Sequence, residues 1–308
     1  MSAWPWDVLA AGCVLLAALR WYGLRRWAAK TRAVQARLCV LRQDMAVPRF
    51  YPDALHGLPA PVARYLRQVL PAGAVQVRSV TLSQQGVLNL RQSGECWRPF
   101  SARQTVVLQR PGFVWDARVS LLPLLTVCVH DGYVAGEGLL EPALLGLFAL
   151  GAPCDRSKLA HDELTRFLAE APWYPHVLLP GQGVKWQAID GTSALATLCD
   201  GEVVVSLTFH FGRDGLVEAV RAEQRGRLVG GRLVSTPWEG RLSNYQRQDG
   251  VLVPLDGEVA WLMPQGRHPY WRSTMTMLAY QRQADGDPSG WGGKSTERRG
   301  LNVKTPGR

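Results

Sequence analysis

The sequence predicts an α+β protein that is mainly antiparallel β: one strongly curved half-barrel sheet covered by two or three helices, preceded by an N-terminal membrane anchor helix. Three observations predict it. From about Val75 to Gln283, strand-like runs follow one another, and almost every run carries a Trp, Tyr or Phe, as in Phe113-Val-Trp-Asp-Ala-Arg-Val119 and Val203–Phe211. Gly-containing turns separate the runs at Arg213-Asp-Gly215, Val229-Gly-Gly-Arg232 and Gln248-Asp-Gly250. Finally, there is neither β-α-β alternation nor a Gly-x-Gly-x-x-Gly loop, which argues against a dinucleotide-binding fold. A sheet of so many strands must curl or split, and with few helices available as cover the simplest solution is a half-barrel wrapped around them. Its concave face is rich in large apolar side chains, and any part that the helices leave unfilled is an apolar pocket.

The first element is the apolar run Val8–Leu19, which extends through Trp21-Tyr-Gly-Leu24 if Arg20 snorkels. Trp4 and Trp6 precede it, and Trp21, Tyr22 and Trp27 follow, at positions suited to interfacial aromatics. Asp7 lies before the run and Arg25, Arg26 and Lys30 after it, the reverse of a cleaved signal peptide. Residues 1–30 therefore read as a single uncleaved anchor. By the positive-inside rule the following domain faces the cytoplasm of a bacterial inner membrane. A short buried or interfacial helix is the alternative. Residues 31–49 read as a stalk helix, with Val34, Leu38 and Leu41 on one side and Arg32, Arg37 and Arg42 available to anionic headgroups or simply solvated.

Residues 50–283 form the curved antiparallel domain. Pro59 opens a helix that Pro71 closes. Strands are predicted around 75–82, 86–91, 101–109, 113–121 and 125–134, with a tight turn at Pro111-Gly112. Glu141–Leu150 reads as a short helix or flap. A second helix spans about Ser157–Ala171, with Leu159, Leu164, Phe167 and Leu168 on one side and Pro172 as its stop. Strands follow near 183–189, 194–199, 203–211, 217–227, 232–245, 252–262 and 270–281, and residues 284–308 read as a disordered basic tail.

The formal net charge is +10 over 308 residues. It is concentrated at the ends: residues 1–49 hold Arg20, Arg25, Arg26, Lys30, Arg32, Arg37, Arg42 and Arg49 against Asp7 and Asp44. The tail adds a smaller excess, leaving the central domain nearly neutral. That distribution suits a membrane-proximal protein and argues against a nucleic-acid reader, whose basic footprint lies on the folded face. The six cysteines are scattered without a Cys-x-x-Cys pair, so no metal site is expected and free thiols are favoured. Cys128, alternating with Val127 and Val129, reads as a small core residue.

Arg166, Glu170 and Trp173 are the densest constellation of chemistry-bearing residues. Arg166 and Glu170 are spaced i, i+4 on a helix, where an ordinary ion pair is the simplest account and a buried proton-transfer carboxyl the sharper one. His130, Asp131 and Glu137 offer acid–base or metal chemistry, although neighbouring glycines also explain Asp131 as a turn residue. His161, Asp162 and Glu163 sit near a helix start, where the helix dipole favours acids, and the position four after His161 is Thr165, so no His-Glu-x-x-His motif exists. No Gly-x-Ser-x-Gly elbow occurs. Trp238, Glu239 and Tyr245 lie in hairpin strands as pocket wall or sheet packing.

Pro59-Ala-Pro-Val-Ala-Arg-Tyr-Leu66, Pro111-Gly-Phe-Val-Trp-Asp-Ala117, Asp131-Gly-Tyr-Val-Ala-Gly-Glu-Gly138, Arg166–Pro175, Pro237-Trp-Glu-Gly240 and Tyr270-Trp271 together resemble an uncharacterised bacterial domain-of-unknown-function family over residues 50–283. That resemblance implies no catalytic residues. More distantly, the Pro-Gly-Phe-Val-Trp run, the Asp-Gly after it and the later hairpins resemble the lipoprotein-localisation-factor type of half-barrel, whose members carry acyl chains or lipids outside the inner membrane. The expected function is non-catalytic binding of a lipid or other hydrophobic ligand by Trp115, Tyr133, Arg166, Glu170, Trp173, Trp238, Tyr245 and Trp261, without cofactor or metal. The rivals are an enzyme acting on a membrane-associated substrate through Glu170, Arg166 and Asp131, and an interaction scaffold recognisable by an exposed apolar patch outside any pocket. Nothing in the sequence sets an oligomeric state.

Overall fold

The computed structural model describes residues 4–40, 52–73, 77–91, 94–151, 156–230 and 232–282. Among them the first group of strands is β1 (Val77–Asn89), β2 (Trp97–Val107), β3 (Gly112–Leu122), β4 (Leu125–Val134), β5 (Glu137–Leu144) and β6 (Phe148–Ala149). The second group is β7 (Val184–Ala188), β8 (Ser193–Asp200), β9 (Val203–Phe211), β10 (Val217–Val229), β11 (Arg232–Gln248), β12 (Val251–Met263) and β13 (Gly266–Arg282). All thirteen join one sheet in the order β6-β5-β4-β3-β2-β1-β13-β12-β11-β10-β9-β8-β7. Each group is therefore a meander of sequential hairpins, and the first and last strands seal the two together, with Val80 opposite Tyr280 and Leu82 opposite Leu278. Strand twist accumulated over this width curls the sheet into a half-barrel.

The connection between the meanders must run from the outer edge at β6 to the opposite edge at β7. It does so as a helix laid across the hollow, α3, numbered after α1 (Trp4–Val40) and α2 (Ala60–Val69). Helix α3 (Arg156–Ala169) packs on β5 on one side and on β9 and β10 on the other. Ala160, Leu164, Phe167 and Leu168 are buried at helical spacing. Gly138 of β5 is where the helix comes down: a Cβ there would lie 2.4 Å from the Leu159 side chain. Helix α2 buries Val62, Tyr65, Leu66 and Val69 against β8 and β12. Pro172 and Pro175 hold the chain after α3 to two short 3-10 turns, Ala171–Trp173 and Pro175–Leu178.

Helix α1 is a single 37-residue helix covering the predicted anchor and the described part of the predicted stalk. No helix among the described residues is long and apolar enough to cross a membrane, which corrects the expectation of a transmembrane anchor. The uninterrupted apolar stretch 8–19 spans only about 18 Å at about 1.5 Å per residue, against about 30 Å of hydrocarbon. Beyond Arg20 the helix is committed to the protein. Gly23, Trp27, Thr31 and Leu38 are buried, with Val34 half-buried between them, in a stripe against the outer face of the first meander. Residues 41–49 of the predicted stalk and the predicted tail, 284–308, lie outside the described residues.

Two local expectations change. Glu141–Leu150 is not a helix: Leu139–Leu144 continues β5, hydrogen-bonded to β4, and Phe148 pairs back on Leu144. The predicted break at 83–85 is absent: β1 runs on with only a register shift against β13 between Ser83 and Gln84, and at Gly86 the missing side chain lets β13 cross closely, since a Cβ would sit 2.0 Å from the Arg272 carbonyl oxygen. Cys13, Cys39, Cys96, Cys128 and Cys199 are free thiols, and Cys154 lies outside the described residues.

Candidate functional site

Where α3 spans the hollow it leaves a cavity of about 250 Å³ walled by Leu88, Trp115, Val129, Leu140, Trp173, Trp238, Tyr270 and Trp271. Two glycines open the space. A Cβ on Gly257 would lie 3.2 Å from the Trp271 ring and 3.6 Å from Trp173, and one on Gly240 would lie 3.0 Å from Trp238. The aromatic walls are fixed by their polar atoms. Trp173 donates its indole N–H to the Pro254 carbonyl (3.0 Å), Trp238 to the Tyr270 hydroxyl (2.9 Å) and Trp115 to Gln84 Oε1 (2.9 Å).

One end of the cavity is charged. Arg166, on α3, donates through Nη1 to Asp131 Oδ2 at 2.6 Å and through Nε to Glu170 Oε1 at 2.7 Å. Gln104 donates to the other Glu170 oxygen at 2.5 Å. The Arg166 guanidinium lies 5.0 Å from the centres of both the Phe113 and Trp115 rings. Glu163, one turn before Arg166, is buried, and burial first, then the Asp131 charge, pushes its carboxyl well above the usual carboxylate range. The cluster is thus one cation, two carboxylates paired with it and a third carboxyl whose ionisation burial disfavours. It holds α3 against β4 and β2, while Arg225, Arg241 and Glu258 add further charged side chains elsewhere on the cavity wall.

Trp115, Arg166, Glu170, Trp173 and Trp238 all line this cavity. Tyr133 does not: it is buried elsewhere, donating its hydroxyl to Asp200 at 2.9 Å. Tyr245 also lies away, donating to the Val217 carbonyl at 2.7 Å, and burial pushes its hydroxyl upward. Trp261 stacks on Tyr270 with ring centres 5.3 Å apart and borders a separate small cleft. The grouping of His130, Asp131 and Glu137 also fails. Asp131 is a mid-strand residue of β4 facing the cavity, His130 faces the opposite side, and Glu137 pairs with Arg37 and Arg156 at the surface. Among the described residues no group of three or more His, Cys, Asp or Glu is placed to hold a metal.

Sequence reasoning missed Glu163, Gln104, Gly240 and Gly257, and also Arg225, which lines the cavity with its guanidinium 4.9 Å from the centre of the Trp238 ring. Glu163 was read as a helix-start acid; its position three before Arg166, on the same helical face, was the available signal. The glycines are silent in sequence because only the curvature shows what their missing side chains would strike.

A larger groove of about 900 Å³ on the outer face is polar, and its central acid is already satisfied. Glu239 there is 1% exposed and accepts from Arg221 (2.7 Å), Arg241 (2.7 Å) and Arg267 (2.8 Å). Burial alone would raise its carboxyl; the three guanidinium groups outweigh that and hold it below the usual range. Such a surface is poorly suited to an apolar ligand.

Fold and cavity together define a curved antiparallel half-barrel with a partly open, aromatic-lined hollow. Residues 56–280 match the Family of unknown function (DUF6920), and the protein belongs to that family. No functionally curated protein matches the chain. Among solved structures it is similar to a LolA superfamily protein from Nitrosomonas europaea, at 12% identity over 74% of this chain and 96% of that one, with a TM-score of 0.31. It is also similar to a DUF1329 family protein from Desulfovibrio piger, at 12% identity over 67% of this chain and 86% of that one, with a TM-score of 0.28. At such TM-scores these likenesses carry no functional weight, and the half-barrel rests on the single thirteen-stranded sheet and on α3 touching β5 on one flank and β9 and β10 on the other.

Proposed function

We propose that this protein is a non-catalytic half-barrel that takes up a hydrophobic ligand, such as the apolar chain of a lipid, while held at a membrane. The single observation that carries the ligand reading is the 250 Å³ hollow walled by Trp115, Trp173, Trp238 and Trp271 and kept open by Gly240 and Gly257. Small-molecule sites run from about 300 to 1,000 Å³, so this hollow suits a short or partly inserted chain rather than a whole lipid. The membrane part is supported by the exposed apolar residues Val8, Val14, Leu15 and Leu16 of α1.

The test is native mass spectrometry and displacement of a fluorescent fatty acid, using the full chain and the Gly257→Leu variant. Binding by the wild type, reduced about tenfold or more when leucine fills the hollow, is the expected result. Equal binding by both, or none by the wild type, would remove the cavity from consideration.

A second reading has one specific observation behind it: Arg166, Glu170 and Asp131 do converge, as an enzyme acting on a membrane-associated substrate requires. Against it, the guanidinium charge is already paired with two carboxylates, through Nε to Glu170 and Nη1 to Asp131, which lowers its pull on a substrate anion. Under this reading Glu170→Gln abolishes turnover with ligand affinity intact; under the binding reading affinity and stability change together.

A further inference from the structure

Helix α1 runs antiparallel to β3: Leu38 packs near Val114 at the start of that strand, Trp27 meets Asp116, and Arg20 Nη1 donates to the Leu124 carbonyl at the turn after it (3.1 Å). The part of α1 before Arg20, from Trp4 on, therefore overhangs the end of the sheet. From Val8 to Ala18 every residue whose side chain is described is exposed, and none carries a charge. A protein partner needs one apolar stripe on a helix; a helix that is apolar all round is matched by an apolar medium.

The base of the overhang is not an ordinary protein surface either. Gly23 of α1 packs so closely on the Leu145–Leu147 turn that a Cβ would lie 2.1 Å from the Leu145 carbonyl oxygen. Two hairpin turns thus flank the helix exit, and their tips are apolar: Leu122 and Leu124 are each 63% exposed and Phe148 is 56% exposed, beside Trp21 at 59%. Leu124 has φ +67° and Leu145 φ +54°, left-handed conformations that Gly, Asn or Asp adopt more readily than leucine. Folding alone would favour a small or polar residue at Leu124, whose side chain gains nothing from burial. Basic residues lie directly behind this collar: Arg20, Arg25 and Arg26, with Arg25 stacked 4.6 Å over Trp21.

We infer that the β3–β4 turn, the β5–β6 turn and the neighbouring turns of α1 form a collar that docks on an anionic lipid bilayer, with the apolar overhang buried in its hydrocarbon. The inference rests on the membrane part of the preceding reading and is independent of the cavity. Tryptophan, leucine and arginine at one level are what a water–lipid boundary accommodates, and basic residues there add attraction to anionic headgroups.

The experiment uses the full chain with vesicles of phosphatidylcholine alone or mixed with phosphatidylglycerol, read by co-sedimentation. The wild type is compared with a combined Leu122→Glu, Leu124→Asn, Phe148→Glu variant, whose substitutions all fall on exposed side chains. Expected are tighter binding to the phosphatidylglycerol vesicles, weakening with salt, and a loss of about tenfold or more in the variant. Hydrogen exchange on the wild type supplies a reading that needs no variant: vesicles should slow exchange at Leu122, Leu124 and Leu125 and at 145–148. If both proteins bind equally and those amides stay unprotected, the collar is overturned while membrane contact through the overhang survives. If the wild type binds neither vesicle, collar and membrane association fall together and the cavity reading is untouched. Self-association without lipid that the combined variant abolishes would also overturn the proposal, in favour of a second copy of the chain.

Discussion

His130 and Asp131 are neighbours on β4, yet they feed two different buried polar clusters on opposite faces of the sheet. Asp131 joins Arg166, Glu170 and Glu163 inside the hollow. His130 lies under α1 outside, 0% exposed, stacked on Trp27 with ring centres 4.0 Å apart and with its Nε2 2.7 Å from the Thr31 hydroxyl. Trp27 also donates to Asp116 at 2.8 Å, and Arg118 pairs with the same carboxylate. Burial lowers the His130 pKa to about 4, against the opposing pull of Asp116, with Lys30 and Arg118 adding to the lowering and Glu141 opposing it. The inner cluster is therefore organised around a fixed cation and the outer one around a neutral imidazole. A one-residue step along a strand, which reverses the face, separates two electrostatic designs.

The largest break in that comparison is Arg166→Ala. It leaves the largely enclosed Asp131 and Glu170 carboxylates without their cation and should cost about 3–5 kcal/mol in denaturant unfolding. No single substitution in the outer cluster should match it.

The two clusters also respond oppositely to pH. His130 is depressed in the docked state, so α1 docking is at full strength above about 6.5 and weakens as pH falls toward about 4, by at most about 3 kcal/mol. Glu163 is raised in the folded state, so its contribution is complete below the ordinary carboxylate range and is lost as pH rises above it. Replacing Glu163 by Gln should flatten the loss on the alkaline side, and replacing His130 by Gln the loss on the acid side. Melting curves across pH check both, and a matching response from the two variants would erase the distinction.

Trp27→Phe keeps most of the packing but deletes the hydrogen bond to Asp116. It should weaken the outer cluster by about 1.5–3 kcal/mol, seen as faster amide exchange in residues 27–38. Smallest is Arg37→Ala, which removes an exposed pair with Glu137 at 3.3 Å and should change stability by no more than about 1 kcal/mol.

Much of the fold was legible because hairpins announce themselves locally. Asp249-Gly250 adopts φ +50° and +86°, the left-handed pair that a two-residue hairpin turn requires, and β11 and β12 flank it as expected. The i, i+4 spacing of Arg166 and Glu170 likewise exposed half of the inner cluster. Asp131 was misread because adjacent glycines suggested a turn, whereas Gly132 in β4 serves close packing: a Cβ there would lie 2.4 Å from the Phe113 carbonyl. The stripe Gly23, Trp27, Thr31, Leu38 was present in the sequence, but an apolar run beside basic residues reads equally well as a membrane flank.

Local sequence by itself determined most of the strands and turns and the two covering helices, though not β5 and β6, because alternation, turn residues and proline act over a few positions. Only the tertiary structure decided that β13 returns to β1, that α3 bridges the hollow, and that α1 is clasped to the outer face. Those outcomes depend on contacts between residues some thirty to two hundred positions apart, whose energies come from burial and charge pairing after the sheet has curled. Where the walls meet and where they leave a gap is a property of that curvature, which no single stretch of the chain encodes.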